Sequence, residues 1–130
     1  MSFSGCDRDV RSMLAVGTPW LAGSTPWRTD RVSPDGRTID LTYNSLSGTK
    51  LTRGPASVVV KESERRVQIA VQQEIRVVGE GEVPYVFDPM LETVRLEAPL
   101  ANRTLEHAPV TPELEFLDPG GDRHLDRRFN

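Results

Sequence analysis

The chain has very little cysteine, histidine or lysine, and few aromatic residues. One cysteine, Cys6, among 130 residues excludes an intramolecular disulfide, so no compartment can be read from pairing. With only two histidines, His107 and His124, beside that thiol, a structural zinc site lacks its ligand set. A nucleophilic pair of Cys6 with a histidine would set the nucleophile near one end of the chain, away from any scaffold. Fourteen arginines stand against Lys50 and Lys61, and the net charge is -3. That balance excludes the basic footprint of a nucleic-acid binder. The arginine skew reads as a trait of the coding sequence. No apolar run approaches the roughly 20 residues that span a bilayer. The glycine-rich phosphate loops and the GxSxG nucleophile turn are missing too.

Hydrophobic residues make up 37% of the chain, below the roughly 45–50% of typical domains, an average that also counts glycine. They are organised, however. From Val32 to Leu105 apolar and polar residues alternate at period two, the signature of half-buried strands. Ser33-Pro34-Asp35-Gly36 is a turn in which proline presets φ, aspartate caps locally and glycine accepts positive φ. It joins a first strand, Trp27 to Val32, to Thr38–Tyr43, which sets Ile39, Leu41 and Tyr43 on one face. Ala56 to Lys61 and Val67 to Gln73 form a second hairpin across the charged tip Glu62–Arg66, with Val67, Ile69 and Val71 inward. Val67 to Val78 reads as one long bent strand or as two strands, with the break then expected at Gln73-Glu74. Ser45 to Pro55 and residues 79–82 read as loops, Val83 to Phe87 as a short edge strand holding Pro84, and Glu92 to Glu97 as a strand with Val94 and Leu96 inward. The fold class is therefore all-β: a single antiparallel β-sandwich, immunoglobulin-like, with extended arms at both ends.

Three segments follow: a leader over residues 1–31, the sandwich core over 32–107 and a C-terminal arm over 108–130. In the leader, Val10, Met13 and Leu14 share one face of a short helix over residues 7–15. Gly17-Thr18-Pro19-Trp20 and Ser24-Thr25-Pro26-Trp27 echo each other seven residues apart, too few copies for a repeat architecture. The plain reading has one or both tryptophans closing the core edge. The sharper one makes Trp20 and Trp27 a contact surface for a partner. In the arm, Leu114, Phe116 and Leu117 form a patch able to dock on the body. The cluster Arg123, His124, Arg127 and Arg128 is interrupted by Asp122 and Asp126 and reads as a solvated tail. Glu62 and Arg103 each flank a turn, where the plain reading leaves both exposed and the sharper one pairs them across the sandwich; on the paired reading, replacing Arg103 with alanine is expected to cost stability without touching a specific activity.

The pieces Asp35-Gly36-Arg37, Val60-Lys61-Glu62, Val67 to Val71, and Val94 to Leu105 with Pro99-Leu100 and Arg103-Thr104-Leu105 resemble a widespread set of small actinobacterial envelope proteins. These are uncharacterised β-sandwich domains, many exported or lipid-anchored. The resemblance implies a cell-envelope or extracytoplasmic location and a binding or structural role. A cysteine pair often found in such domains has no counterpart in residues 45–55 or 79–87. Phe3-Ser4-Gly5-Cys6 resembles the end of a lipobox, a resemblance that implies Cys6 as a lipid attachment residue; only five residues precede it with no apolar segment among them, and the alternative is an ordinary thiol.

No residue constellation points to catalysis. Glu80 and Glu82 flank Gly81 without the spacing of a calcium loop, and Asp35 is accounted for by its turn. The sequence predicts a non-catalytic binding or structural domain at the bacterial cell envelope, with no cofactor and no metal, meeting a membrane only through a lipid on Cys6. The alternative is an intracellular or virion assembly protein, such as a phage component, whose arms contact protein neighbours; a small hydrolase is the third reading.

Overall fold

The computed structural model describes residues 20–78 and 83–120. Eight strands lie within them: β1 (Trp20–Thr25), β2 (Trp27–Val32), β3 (Thr38–Ser47), β4 (Leu51–Arg53), β5 (Ser57–Glu62), β6 (Arg66–Val77), β7 (Val86–Arg95) and β8 (Thr104–His107). A short 3-10 helix, Pro112–Leu117, follows. The strands form two sheets packed face to face, the all-β sandwich that the alternation predicts. The helix expected over residues 7–15, Cys6, the 79–82 loop and the basic tail lie outside the described residues.

β6 is the spine of the larger sheet. Val67, Ile69, Val71, Gln73 and Ile75 are buried at every second position, so one face of the strand supplies the core continuously. β5 pairs with residues 67–72 and β4 with 75–77, while parallel β8 pairs with 66–69 and antiparallel β1 with 71–76. The overlaps place β5 and β4 along one edge of β6 and β8 and β1 along the other. Of the two readings of Val67 to Val78 the structure has the single long strand, with no break at Gln73-Glu74. Gln73 keeps its place in the inner row because its amide donates to the Asn44 carbonyl at 2.9 Å, which offsets the cost of burying it.

The smaller sheet runs β2-β3-β7, all antiparallel. Its first hairpin is the predicted one. The Gly36 amide closes the turn on Ser33 O at 2.8 Å with Gly36 at φ +74°. Asp35 accepts from the Ser33 hydroxyl and then from the Arg37 amide, and these two bonds hold its carboxyl below the usual carboxylate range. β3 runs past Tyr43 to Ser47 because ten residues of β7 pair with it throughout. The stretch expected as a loop over Ser45 to Pro55 thus contains the end of β3 and all of β4. The expected short strand Val83 to Phe87 and the strand Glu92 to Glu97 are largely one element, β7.

The expected boundaries at 31 and 108 also move outward. β1 and β2 belong to different sheets, and the chain changes sheet at Pro26, which has no N–H to leave unpaired. Trp27 follows directly, is fully buried, and donates its indole N–H to Ile69 O at 3.1 Å. At about 25 cal/mol per Å², the 150–250 Å² of a buried aromatic is worth roughly 4–6 kcal/mol as an upper figure. On the C-terminal side, Thr111 exchanges backbone and side-chain bonds with Ser24. Gly23, at φ +142°, leaves the space that the Thr111 side chain fills; a Cβ there would strike it. Leu114 and Leu117 are fully buried, so the apolar patch of the arm docks as expected.

Two apolar clusters result. One holds Trp27, Ile39, Leu41, Tyr43, Val67, Ile69, Val71, Val94 and Leu105. The other gathers Leu21, Leu46, Leu51, Ile75, Val83, Leu114 and Leu117. Away from the second cluster, the structure takes the paired reading of Glu62 and Arg103 over the exposed one: Arg103 lies 3.1 Å from Glu62 and donates to the carbonyls of Ser63, Ala98 and Pro99.

Candidate functional site

The candidates from the sequence separate when placed in the fold. Trp27 is a core residue and presents no side chain to a partner, which corrects its reading as a contact surface. Trp20 begins β1 opposite Arg76. Cys6 and His124 lie outside the described residues. His107 stacks on Trp27 with ring centroids 4.3 Å apart, accepts the Trp27 amide on Nε2 and bonds Ala108 O through Nδ1. Both ring nitrogens are used structurally, so the imidazole locks the β1–β2 crossing to β8. Among the described residues no group of His, Cys, Asp and Glu side chains is placed to hold a metal ion, and no helix is long and apolar enough to cross a membrane.

What stands out instead is β7. It closes one side of the smaller sheet, and among the described residues no strand pairs with its outer edge. The Leu96 amide donates to Arg37 O at 2.7 Å, and the register with β3 runs unbroken from there. Even-numbered backbone groups of β7 therefore face β3 and odd-numbered groups face away. Phe87, Leu91, Thr93 and Arg95 offer both N–H and C=O outward, while Pro89, also outward, offers only its carbonyl. Proline at that position costs the sheet no bond and weakens the edge as a template for indiscriminate pairing.

Side chains mark the same strand. Leu91 is 76% exposed, Val86 64% and Phe87 49%, the three most exposed large hydrophobic residues described. Phe87 is braced from one side, with Tyr85 at 5.8 Å and Phe116 at 6.4 Å between ring centroids. Beside these apolar residues, on the even-numbered face of the strand, stand two carboxylates, Asp88 and Glu92. Asp88 pairs with Arg53 of β4 at 2.6 Å. Glu92 makes no salt bridge among the described residues. Burial pushes the Tyr43 phenol above its ordinary pKa, the charge of Glu92 adds to that, and Arg53 opposes both.

No protein-family model, curated protein or solved structure matches the chain.

Sequence reasoning missed this edge by splitting β7 into two pieces. The signal was nonetheless present as a conflict of parity. Val94 and Leu96 point inward, so residues of odd number in the same strand must point outward. Phe87 and Leu91 are odd, and an apolar pair on the solvent side of an edge strand is the informative exception to burial.

Proposed function

We propose that the protein is a non-catalytic binding or structural domain that takes up an extended protein segment along the open edge of β7. The observation that carries this reading is the strand itself: ten residues, paired among the described residues on one side only, with Phe87 and Leu91 presented at strand spacing. Strand addition draws affinity from main-chain bonds and specificity from alternate side chains. β7 offers both, together with an acidic row, Asp88 and Glu92, that favours a segment carrying basic residues. The resemblance drawn from residues 35–105 and the lipobox-like Phe3-Ser4-Gly5-Cys6 support a setting at the bacterial cell envelope. Fractionation of the native protein and of a Cys6→Ser variant tests the setting: both remaining in the cytosolic fraction would remove it.

A library of ten-residue peptides selected on the full chain tests the binding role. Enriched peptides are expected to alternate apolar and basic residues, to slow amide exchange at Phe87 and Leu91, and to lose binding to a Leu91→Lys variant. Peptides that bind Leu91→Lys as well as the parent would overturn it.

A further inference from the structure

We propose that the open edge of β7 pairs with the same edge of a second copy, antiparallel about a two-fold axis at Leu91, so that the smaller sheets of two chains join into one. This rests on the reading of β7 as a strand-addition edge and names an occupant for it. The residues of the strand itself carry the inference. Val86, Phe87 and Leu91 are exposed large hydrophobics within one ten-residue strand. Arg95, at the far end of that strand, is exposed and makes no salt bridge among the described residues. The outward backbone groups belong to odd residues, so in a symmetric pair odd residues exchange the ladder bonds with odd residues.

Charge and proline leave one register. An axis at Met90 sets Asp88 against Glu92 in two places, and an axis at Asp88 or Glu92 sets a carboxylate against itself. An axis at Pro89 puts two prolines opposite each other, so the central pair has no donor at all, and Thr93 and Arg95 then face residues outside β7. An axis at Thr93 leaves Phe87 beyond the end of the facing strand, and axes nearer either end pair fewer residues still. The axis at Leu91 has none of these faults.

In that register residues 87–95 pair throughout. On the solvent face Leu91 meets Leu91, Thr93 meets Pro89 and Arg95 meets Phe87. The joined sheet therefore has an apolar centre and, at each end, a guanidinium beside an aromatic ring. Pro89 accepts from the Thr93 amide of the other copy, so each proline removes one bond and no more. On the even-numbered face Glu92 meets Met90 and Asp88 meets Val94, while Asp88 keeps its bridge to Arg53. The one unfavourable contact is diagonal: the two Glu92 residues stand about 7–8 Å apart across the axis. Both copies use the same surface, so the assembly closes at two.

Light scattering and sedimentation of the full chain across a wide concentration range test this, and should show a species of twice the chain mass and nothing larger. Leu91→Lys places two ammonium groups at the axis and should weaken pairing on the order of tenfold or more. Phe87→Lys should weaken it as well, by setting an ammonium against Arg95, and adding Arg95→Glu to that variant should recover it severalfold. Glu92→Gln should tighten self-pairing by removing the diagonal repulsion, and should weaken a selected basic peptide, which separates the two occupants of the edge. A parent that stays monomeric at every concentration overturns the proposal. So do assemblies that grow beyond two copies, pairing indifferent to Leu91→Lys, or a Phe87→Lys defect that Arg95→Glu does not relieve. If selected peptides bind β7 while the chain stays monomeric, the strand-addition edge stands and this occupant falls.

Discussion

The two apolar clusters of the sandwich are built on different plans. The one around Trp27 takes most of its residues from alternating strands, the β2–β3 hairpin delivering four and β6 three. The one around Leu114 draws single residues from β1, β3, β4, β6 and the segment before β7, and two from the 3-10 helix. Between them β3 and β6 each place a polar residue, Ser45 and Gln73, both buried. The Gln73 side chain is bonded; the Ser45 hydroxyl has no partner among the described residues. A cluster assembled locally should behave as the cooperative unit, and one assembled from scattered pieces behind a polar seam should open first.

The largest test of that contrast is Trp27→Ala. It removes the indole from Ile69 O and from the stack with His107, and should cost about 3–5 kcal/mol, with all strands losing amide protection together in denaturant. Leu114→Ala should cost about 2–4 kcal/mol, with protection falling in β1 and β4 while β3 and β5 keep theirs. Equal loss everywhere would show that the two clusters melt as one.

Arg103→Ala comes next, at roughly 1–3 kcal/mol, because three carbonyls and Glu62 lose their donor. Its pH dependence carries a definite sign. Burial raises the Glu62 pKa, but the Glu97 amide and Arg103 outweigh it, so the folded value lies below the usual one. Glu62 therefore contributes stability above the range of an ordinary carboxylate, and that contribution disappears as pH falls through the lowered value. The fall of Tm on acidification should be shallower in Arg103→Ala. A Tm equal to the parent's at neutral pH would refute the structural role given to this arginine. The smallest effect belongs to Ser45→Ala, expected within about 1 kcal/mol of neutral and more readily stabilising than not, since it removes a buried hydroxyl without a partner; thermal denaturation decides.

The same contrast explains what could be read from the residues. Ile39, Leu41, Tyr43, Val67, Ile69, Val71, Val94 and Leu96 alternate with polar neighbours, so their strands and inward faces follow from period alone. Leu21, Leu46, Leu51 and Val83 sit in short segments with no periodicity to announce them, and only tertiary packing makes them core. Glu62 with Arg103 was legible only as one of two readings, because a place beside a turn suits an exposed charge as well as a paired one. β7 was only half legible, because its solvent face is as apolar as its buried one, and alternation disappears where both faces of a strand carry hydrophobic side chains.

The arrangement of β6 has a consequence for how the chain is made. One of its edges is completed by β1, the first strand described, and β8, the last, lying end to end. A nascent chain can close the β2–β3 and β5–β6 hairpins early, since each needs only local sequence. Yet the edge of β6 that Trp27 and His107 lock stays half filled until residues 104–107 leave the ribosome. Synthesis must thus run nearly to the end of the described fold before its central strand is shielded on both sides, and until then that strand is the part of the nascent protein most open to mispairing or capture by a chaperone.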